Sequence, residues 1–272
     1  MTATKGARSS GSTWTRSRGS TWLRSRTGAR VVGIASSIAV IALVELLIIA
    51  GAINAFVVPK PTQILLAIPR IIAEENVLHR FWQTAQEVIW ASLMLAVFGI
   101  ALGSLLFRFV GLRLAFEAWV GALAAAPIVL MYPLFLVIFG RSTTTIVMIG
   151  FAAGLAPVIL KTLDGLSGTR KVLIDVGRSF KLSRGQQFRK VLLPAALPAV
   201  FVGLKLGLIF AMINIVGVEF LINFGGLGQL INELAERYDL PGTYGAILFV
   251  ILASVLFFAV LERIERWLRP VE

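Results

Sequence analysis

The chain has 272 residues, of which 57% are hydrophobic and only 15% charged, with a formal net charge of +12. A soluble domain of this length would carry far more charge, and apolar runs of about twenty residues recur, as helices that cross a membrane require. There is no cysteine and one histidine, His79, which excludes a disulfide framework, thiolate chemistry and any multi-histidine metal site.

Residues 1 to 30 are polar and basic, and contain an eight-residue near-repeat, Ser12 to Gly19 followed by Ser20 to Thr27, each copy with a tryptophan (Trp14, Trp22). Such a segment cannot bury a core. It is expected to be a disordered cytoplasmic tail or to lie on anionic headgroups. Interleaved Arg and Trp also suit single-stranded nucleic acid, but the adjoining span favours the membrane surface. The apolar run that follows is too long for a cleaved signal peptide.

A transmembrane domain is expected over residues 31–265, followed by a short cytoplasmic tail, 266–272. Span 1 covers 31–58 and ends at Pro59-Lys60-Pro61-Thr62. Residues 63–87 read as an amphipathic stretch on the membrane surface. Span 2 covers 88–107 and span 3 covers 118–139, with Pro127 and Pro133 inside it. Span 4 runs from the short turn Gly140-Arg141-Ser142 to about Leu163, span 5 covers 195–223, and span 6 covers 241–261. The expected fold is an all-α integral membrane protein of about six transmembrane helices, with a cytoplasmic coupling loop between spans 4 and 5. Counted over loops and ends, twenty Lys and Arg fall on the side of the N-terminus and five on the other. That bias places both termini and the loop between spans 4 and 5 in the cytoplasm.

That loop is the most informative stretch. From Asp175 to Pro194 it is too polar for lipid, yet Val176, Phe180, Leu182, Phe188, Val191 and Leu192 recur every three to four positions or so, as in a helix that docks on a partner. It resembles the cytoplasmic loop of the inner-membrane permease subunits of bacterial ABC importers. Asp175-Val176-Gly177 stands where that family has Glu-Ala-Ala, and Phe188, Leu193 and Pro194 fall at its spacing. Lys181 replaces the usual glycine. Either Lys181 adopts the positive φ that glycine normally supplies, or the chain bends differently, with Gly185 as a substitute. Val58 to Leu65, Pro127 with Pro133 and Phe139-Gly140, and Glu219 with Gly226-Leu227-Gly228 are similar to a subgroup of these permeases. That subgroup handles nitrate, sulfonates, taurine and some thiamine precursors.

The resemblance implies that Asp175, Val176, Gly177, Arg178, Phe180, Lys181, Leu182, Arg184 and Phe188 couple the chain to an ATP-binding cassette ATPase. The remaining expected partners are an extracytoplasmic solute-binding protein, the lipid of a bacterial inner membrane, and a second permease copy in a homodimer. No Gly-x-x-x-x-Gly-Lys-Ser/Thr phosphate loop occurs, so the chain is read as no enzyme, with ATP and Mg bound by the separate ATPase. Polar residues inside spans are expensive and mark pathways or helix contacts. Tyr132, Asn214, Glu219 and Asn223 are the candidates for the solute pathway. Lys205 could attract an anion or snorkel to the cytoplasm. The expected solute is a nitrate-, sulfonate- or taurine-like anion, with a thiamine pyrimidine precursor or similar heteroaromatic as the alternative. A self-sufficient secondary transporter or channel would call for inverted repeats or charge relays within the spans, and neither is visible.

Overall fold

The computed structural model describes residues 26–268, so the first 25 residues of the tail expected at 1–30, and the last four residues of the chain, lie outside the described part, while α1 already begins at Arg26. The described residues form helices joined by short connections, with no strand among them. The chain divides into two compact units, residues 1–61 and 62–272. The first contains α1 (Arg26–Ile49), whose 19-residue apolar stretch Val31–Ile49 is long enough to cross a bilayer.

The second unit begins with α2 (Pro61–Glu74), an amphipathic helix that buries Ala67 and Ile71. The surface helix expected over 63–87 is therefore shorter than the sequence suggested. Asn76, in the left-handed conformation, ends it, and α3 (Val77–Met94) starts a new direction. Because α3 packs into the bundle, Thr84, Ala85, Glu87 and Val88 are buried. A π-helical turn (Leu95–Gly99) carries α3 into α4 (Ile100–Arg108), and together they form one 32-residue span.

The third expected span is not straight. Helix α5 (Val110–Ala125) stops at Ala126, a short 3₁₀ turn follows, and α6 (Tyr132–Phe139) leaves at 92° to α5. Pro127 is the cause, since the residue before a proline is driven from the helical region, and Ala126 has ψ 133°. Helix α7 (Thr143–Ser167) is capped by the Ser142 hydroxyl. After α8 (Lys171–Ser179), a continuous rod is built from α9 (Arg184–Gln187), a π-helical turn (Phe188–Leu192) and α10 (Leu193–Ile222). Span 5 thus begins well before Ala195. In the widened turn the Leu193 N–H reaches back to the Phe188 carbonyl, which makes room for the Pro194 ring that would clash in a regular helix. Helix α11 (Gly226–Glu236) falls in a connection for which the sequence reading had no helix, and α12 (Leu240–Leu268) completes the chain. Among the described residues five helical rods are long and apolar enough to cross a membrane, and six if the bent α5–α6 pair is one span.

The core is the antiparallel pair α7–α10. Gly150 and Gly154 on α7 face Ile215 and the Gly207 carbonyl of α10, while Gly203 and Gly207 face Lys161 and Val158 of α7. Glycines four apart on both helices let the backbones approach closely, the means by which helices associate where no hydrophobic gain drives them. Around this seam Leu95, Ile146, Ile149, Ile215 and Val218 form a dense buried cluster.

A side chain at Gly154 would strike both the Gly207 backbone and Leu95. Gly154→Val should destabilise the protein by about 1–3 kcal/mol through overpacking, read as a lower midpoint of thermal unfolding in detergent. Gly121→Val, at a position open on all sides, should leave the midpoint unchanged.

Candidate functional site

The α7–α10 pair separates two ends of the second unit, each with its own constellation. One end holds the turns at 140–142, 223–225 and 237–239, and the other holds α8.

At the first end, Glu219 is fully buried near the end of α10. Its Oε1 accepts the Thr84 hydroxyl at 2.7 Å and its Oε2 accepts the Gly228 N–H at 2.7 Å. The Thr84 hydroxyl oxygen also accepts the Leu227 N–H at 2.9 Å, and Gln83 Oε1 accepts the Gly226 N–H at 3.0 Å. The first three N–H groups of α11, which no helix can satisfy internally, are thus met by side chains of α3 and α10. A carboxylate at a helix N-terminus also complements its dipole. The glycines make room for this: Gly226 has φ +72°, and a Cβ there or at Gly228 would overlap the Glu219 side chain. Gly226-Leu227-Gly228 is therefore the start of a helix wrapped on a carboxylate.

Beside this clasp lies a cavity of about 550 Å³, whose lining includes Arg80, Gln83, Glu87, Arg141, Asn223 and Gln229. Arg80 is paired to Glu233 at 2.7 Å, and Arg141 donates to the Asn223 carbonyl and lies over the Phe224 ring. Glu87, only 3% exposed, lies beside the Glu219 carboxyl. Its Oε2 has no hydrogen-bond partner among the described residues.

The pathway candidates separate accordingly. Asn223 reaches the cavity, although α10 ends at Ile222 and Asn223 is left-handed (φ 51°), so it does not continue the helix face of Glu219. Glu219 lies behind the wall with both oxygens engaged. Asn214 is buried deeper in α10 and donates to the Phe210 carbonyl at 2.8 Å. Tyr132 opens α6 after the bend and packs on the core. Lys205 forms an ion pair with the buried Glu265 of α12, which neutralises the charge that could have attracted an anion. The sequence reading missed Glu87. The signal was the polar set Arg80, Gln83, Thr84 and Glu87, spaced i, i+3, i+4, i+7 as one face of a helix.

At the opposite end, α8 closes with a Schellman motif. The Leu182 N–H bonds the Gly177 carbonyl at 3.1 Å and the Lys181 N–H bonds the Arg178 carbonyl at 2.8 Å. Lys181 has φ 53°, so the bend sits where the family glycine would be, and Gly185 lies within α9. Ser183 and Gln186 form a capping box for α9, and the Gln187 amide donates to the Ile174 carbonyl at 3.0 Å. Gly177 is buried against Val191 and Gln187. Leu182 is half-buried, and Phe188 packs on Leu166, Ala196 and Val200. Asp175 and Arg178 pair at 3.3 Å on the surface, with Arg184 also exposed. What α8 leaves to solvent is an apolar row: Val172, Leu173, Val176 and Phe180, the last 75% exposed. Among the described residues no group of three His, Asp or Glu is placed to hold a metal.

Residues 95–270 match the profile of the binding-protein-dependent transport system inner membrane component family. The nitrate import permease protein NrtB of Leptolyngbya laminosa is 32% identical over 195 residues, 71% of this chain and 70% of that protein. The formylaminopyrimidine transport permease protein ThiX of Halalkalibacterium halodurans is 26% identical over 216 residues, 79% and 86% of the two. SsuC of Bacillus subtilis, a permease protein named for aliphatic sulfonates transport, is 25% identical over 226 residues, 82% of each. The fold is shared with a chain of the MetNI methionine ABC transporter in an inward-facing crystal form. The TM-score is 0.64 at 20% identity, over 71% of this chain and 96% of that one.

Glu219→Ala would strand the Thr84 hydroxyl and the Gly228 N–H in the core, at about 1–3 kcal/mol for each unsatisfied group. The variant should accumulate poorly and unfold at lower temperature, whereas Glu219→Gln, which keeps an acceptor, should lose less. Lys181→Gly should stabilise the protein by about 1 kcal/mol, because a left-handed residue with a Cβ is replaced by one without. A thermal unfolding midpoint below that of the parent would contradict this.

Proposed function

The chain belongs to the family of binding-protein-dependent transport system inner membrane components, the permeases of ABC importers, and we propose that it carries a small nitrate-, sulfonate- or taurine-like anion into the cytoplasm. Its N- and C-termini and α8 lie in the cytoplasm, in keeping with the Lys and Arg bias of the sequence. A homodimer forms the route, an external binding protein delivers the solute, and a separate ATPase binds and hydrolyses ATP with Mg. A second reading, an amino-substituted heteroaromatic such as the formylaminopyrimidine for which ThiX is named, is favoured by the acidic Glu87 in the cavity wall.

The observation that carries this reading is the exposed apolar face of α8. A row of Val172, Leu173, Val176 and Phe180 left to solvent on a short polar helix is a docking surface for a groove. The ATPase is the occupant, with Arg178, Arg184 and Arg189 fixing register around it. Because α8 is tied to α9 by Gln187 and α9 is continuous with α10, a displacement of α8 moves the rod that ends at the cavity. Closure of two ATPases on ATP then alternates the opening of the route.

Phe180→Ala and Asp175→Lys alter exposed residues and should leave the amount of protein in the membrane unchanged. Both should abolish ATP-coupled uptake, measured in cells with labelled taurine, nitrate and an aminopyrimidine. Parental uptake in both variants would contradict the role given to α8.

A further inference from the structure

The cavity beside the Glu219 clasp has a property that an anion pathway does not require. Glu87 is part of its wall, and the buried Oε2 of Glu87 lacks a partner among the described residues. A buried carboxyl oxygen without a hydrogen bond costs free energy unless a donor reaches it. The neighbouring helices supply none: Thr84, Gln83 and the α11 amides are already committed to one another and to Glu219. The Glu219 carboxyl lies beside that of Glu87 with both of its own oxygens engaged, so Glu87 Oε2 is the acceptor left without a partner.

The lining also carries basic side chains, of which Arg80 is paired to Glu233 and Arg141 donates to the Asn223 carbonyl. His79, Arg80 and Arg141 stand along the same cavity. From Arg80 to Glu87 is seven residues of α3, a rise of about 10 Å. The intervening wall carries the amides of Gln86, Gln83 and Gln229; the Gln83 and Gln229 oxygens already accept the Gly226 and Gly225 N–H groups, and the Gln229 amide donates to Glu233. A bare inorganic anion is matched at the arginines and opposed by Glu87. A molecule with a donor at one end and an acceptor at the other is matched along the whole length.

We propose that this cavity is a solute-recognition site that takes a small polar molecule through an N–H-bearing nitrogen, ammonium or amino, laid against Glu87, with its acceptor or anionic end toward Arg80 and Arg141. The assignment rests on the permease reading and narrows it, selecting amino-bearing solutes over bare anions. Glu87 is here a specificity residue, whereas Glu219 acts through it by fixing the wall.

The test uses the full chain in lipid nanodiscs with whatever ATPase co-elutes, and matched probes differing only in the nitrogen: taurine against ethanesulfonate, and 4-aminopyrimidine against pyrimidine, with nitrate alone as a fifth. Titration calorimetry should show at least one amino probe binding about tenfold or more tighter than its partner, as a site built around an N–H contact rejects the analogue lacking it. Glu87→Gln should erase that preference while the ATPase still co-elutes. A second readout needs no variant. Carbodiimide labelling of Glu87, located by peptide mass spectrometry, should be blocked by the preferred amino probe and not by its partner. Equal binding within both pairs, a preference that survives Glu87→Gln, or tighter binding of nitrate would overturn the site. Loss of the ATPase with the probe preference retained would instead overturn the importer reading and leave the site standing.

Discussion

The structure depends on how closely α7 and α10 approach. Gly150, Gly154, Gly203 and Gly207 remove the side chains that would hold the two helices apart, and Ile215, Val158 and Leu95 fill the space they leave. In a bilayer apolar surface gains nothing by leaving lipid for protein, so close packing of this kind has to supply the association. The pair then acts as one stiff element. One end of α10 presents Glu219 and the α11 clasp, and the other continues through the π-helical turn into α9 beside α8.

The two ends show opposite solutions for polar groups. At the clasp every exposed backbone donor of the α11 start is met by a side chain from elsewhere, which excludes water and fixes α11 on α3 and α10. At α8 the hydrogen bonds are local: a Schellman motif, a capping box and one glutamine tie. Local bonds hold the shape of α8 without burying its apolar row. That is the arrangement expected of a part that must be rigid and yet available to a partner. The cavity and α8 thereby lie at the two ends of one continuous rod.

Much of this was legible in the sequence. The apolar runs gave the spans, the apolar spacing from Val176 to Leu192 pointed to helix, and Lys181 or Gly185 stood as the residue at the bend, of which the structure selects Lys181. Its left-handed backbone shows that the turn is set by the surrounding hydrogen bonds strongly enough to hold a lysine there. Other features depended on tertiary contacts that no local pattern encodes. Helix α11 was missed because two of its N-terminal partners, Gln83 and Thr84, lie far away in the chain. The 92° break at Ala126–Pro127 was hidden because the composition on either side is equally apolar. Lys205 was read as attracting an anion or snorkelling to the cytoplasm because Glu265, sixty positions on, could not be seen to face it. Glu87 was taken for the edge of a surface helix because the left-handed Asn76, which turns α3 into the bundle, has no strong sequence mark.

The most direct test of the account is native mass spectrometry of the complex purified gently from its own membranes. The account predicts two copies of this chain together with two copies of a nucleotide-binding ATPase, and dissociation of that ATPase when α8 is deleted. A stable particle containing this chain alone, active in transport without ATP, would contradict it.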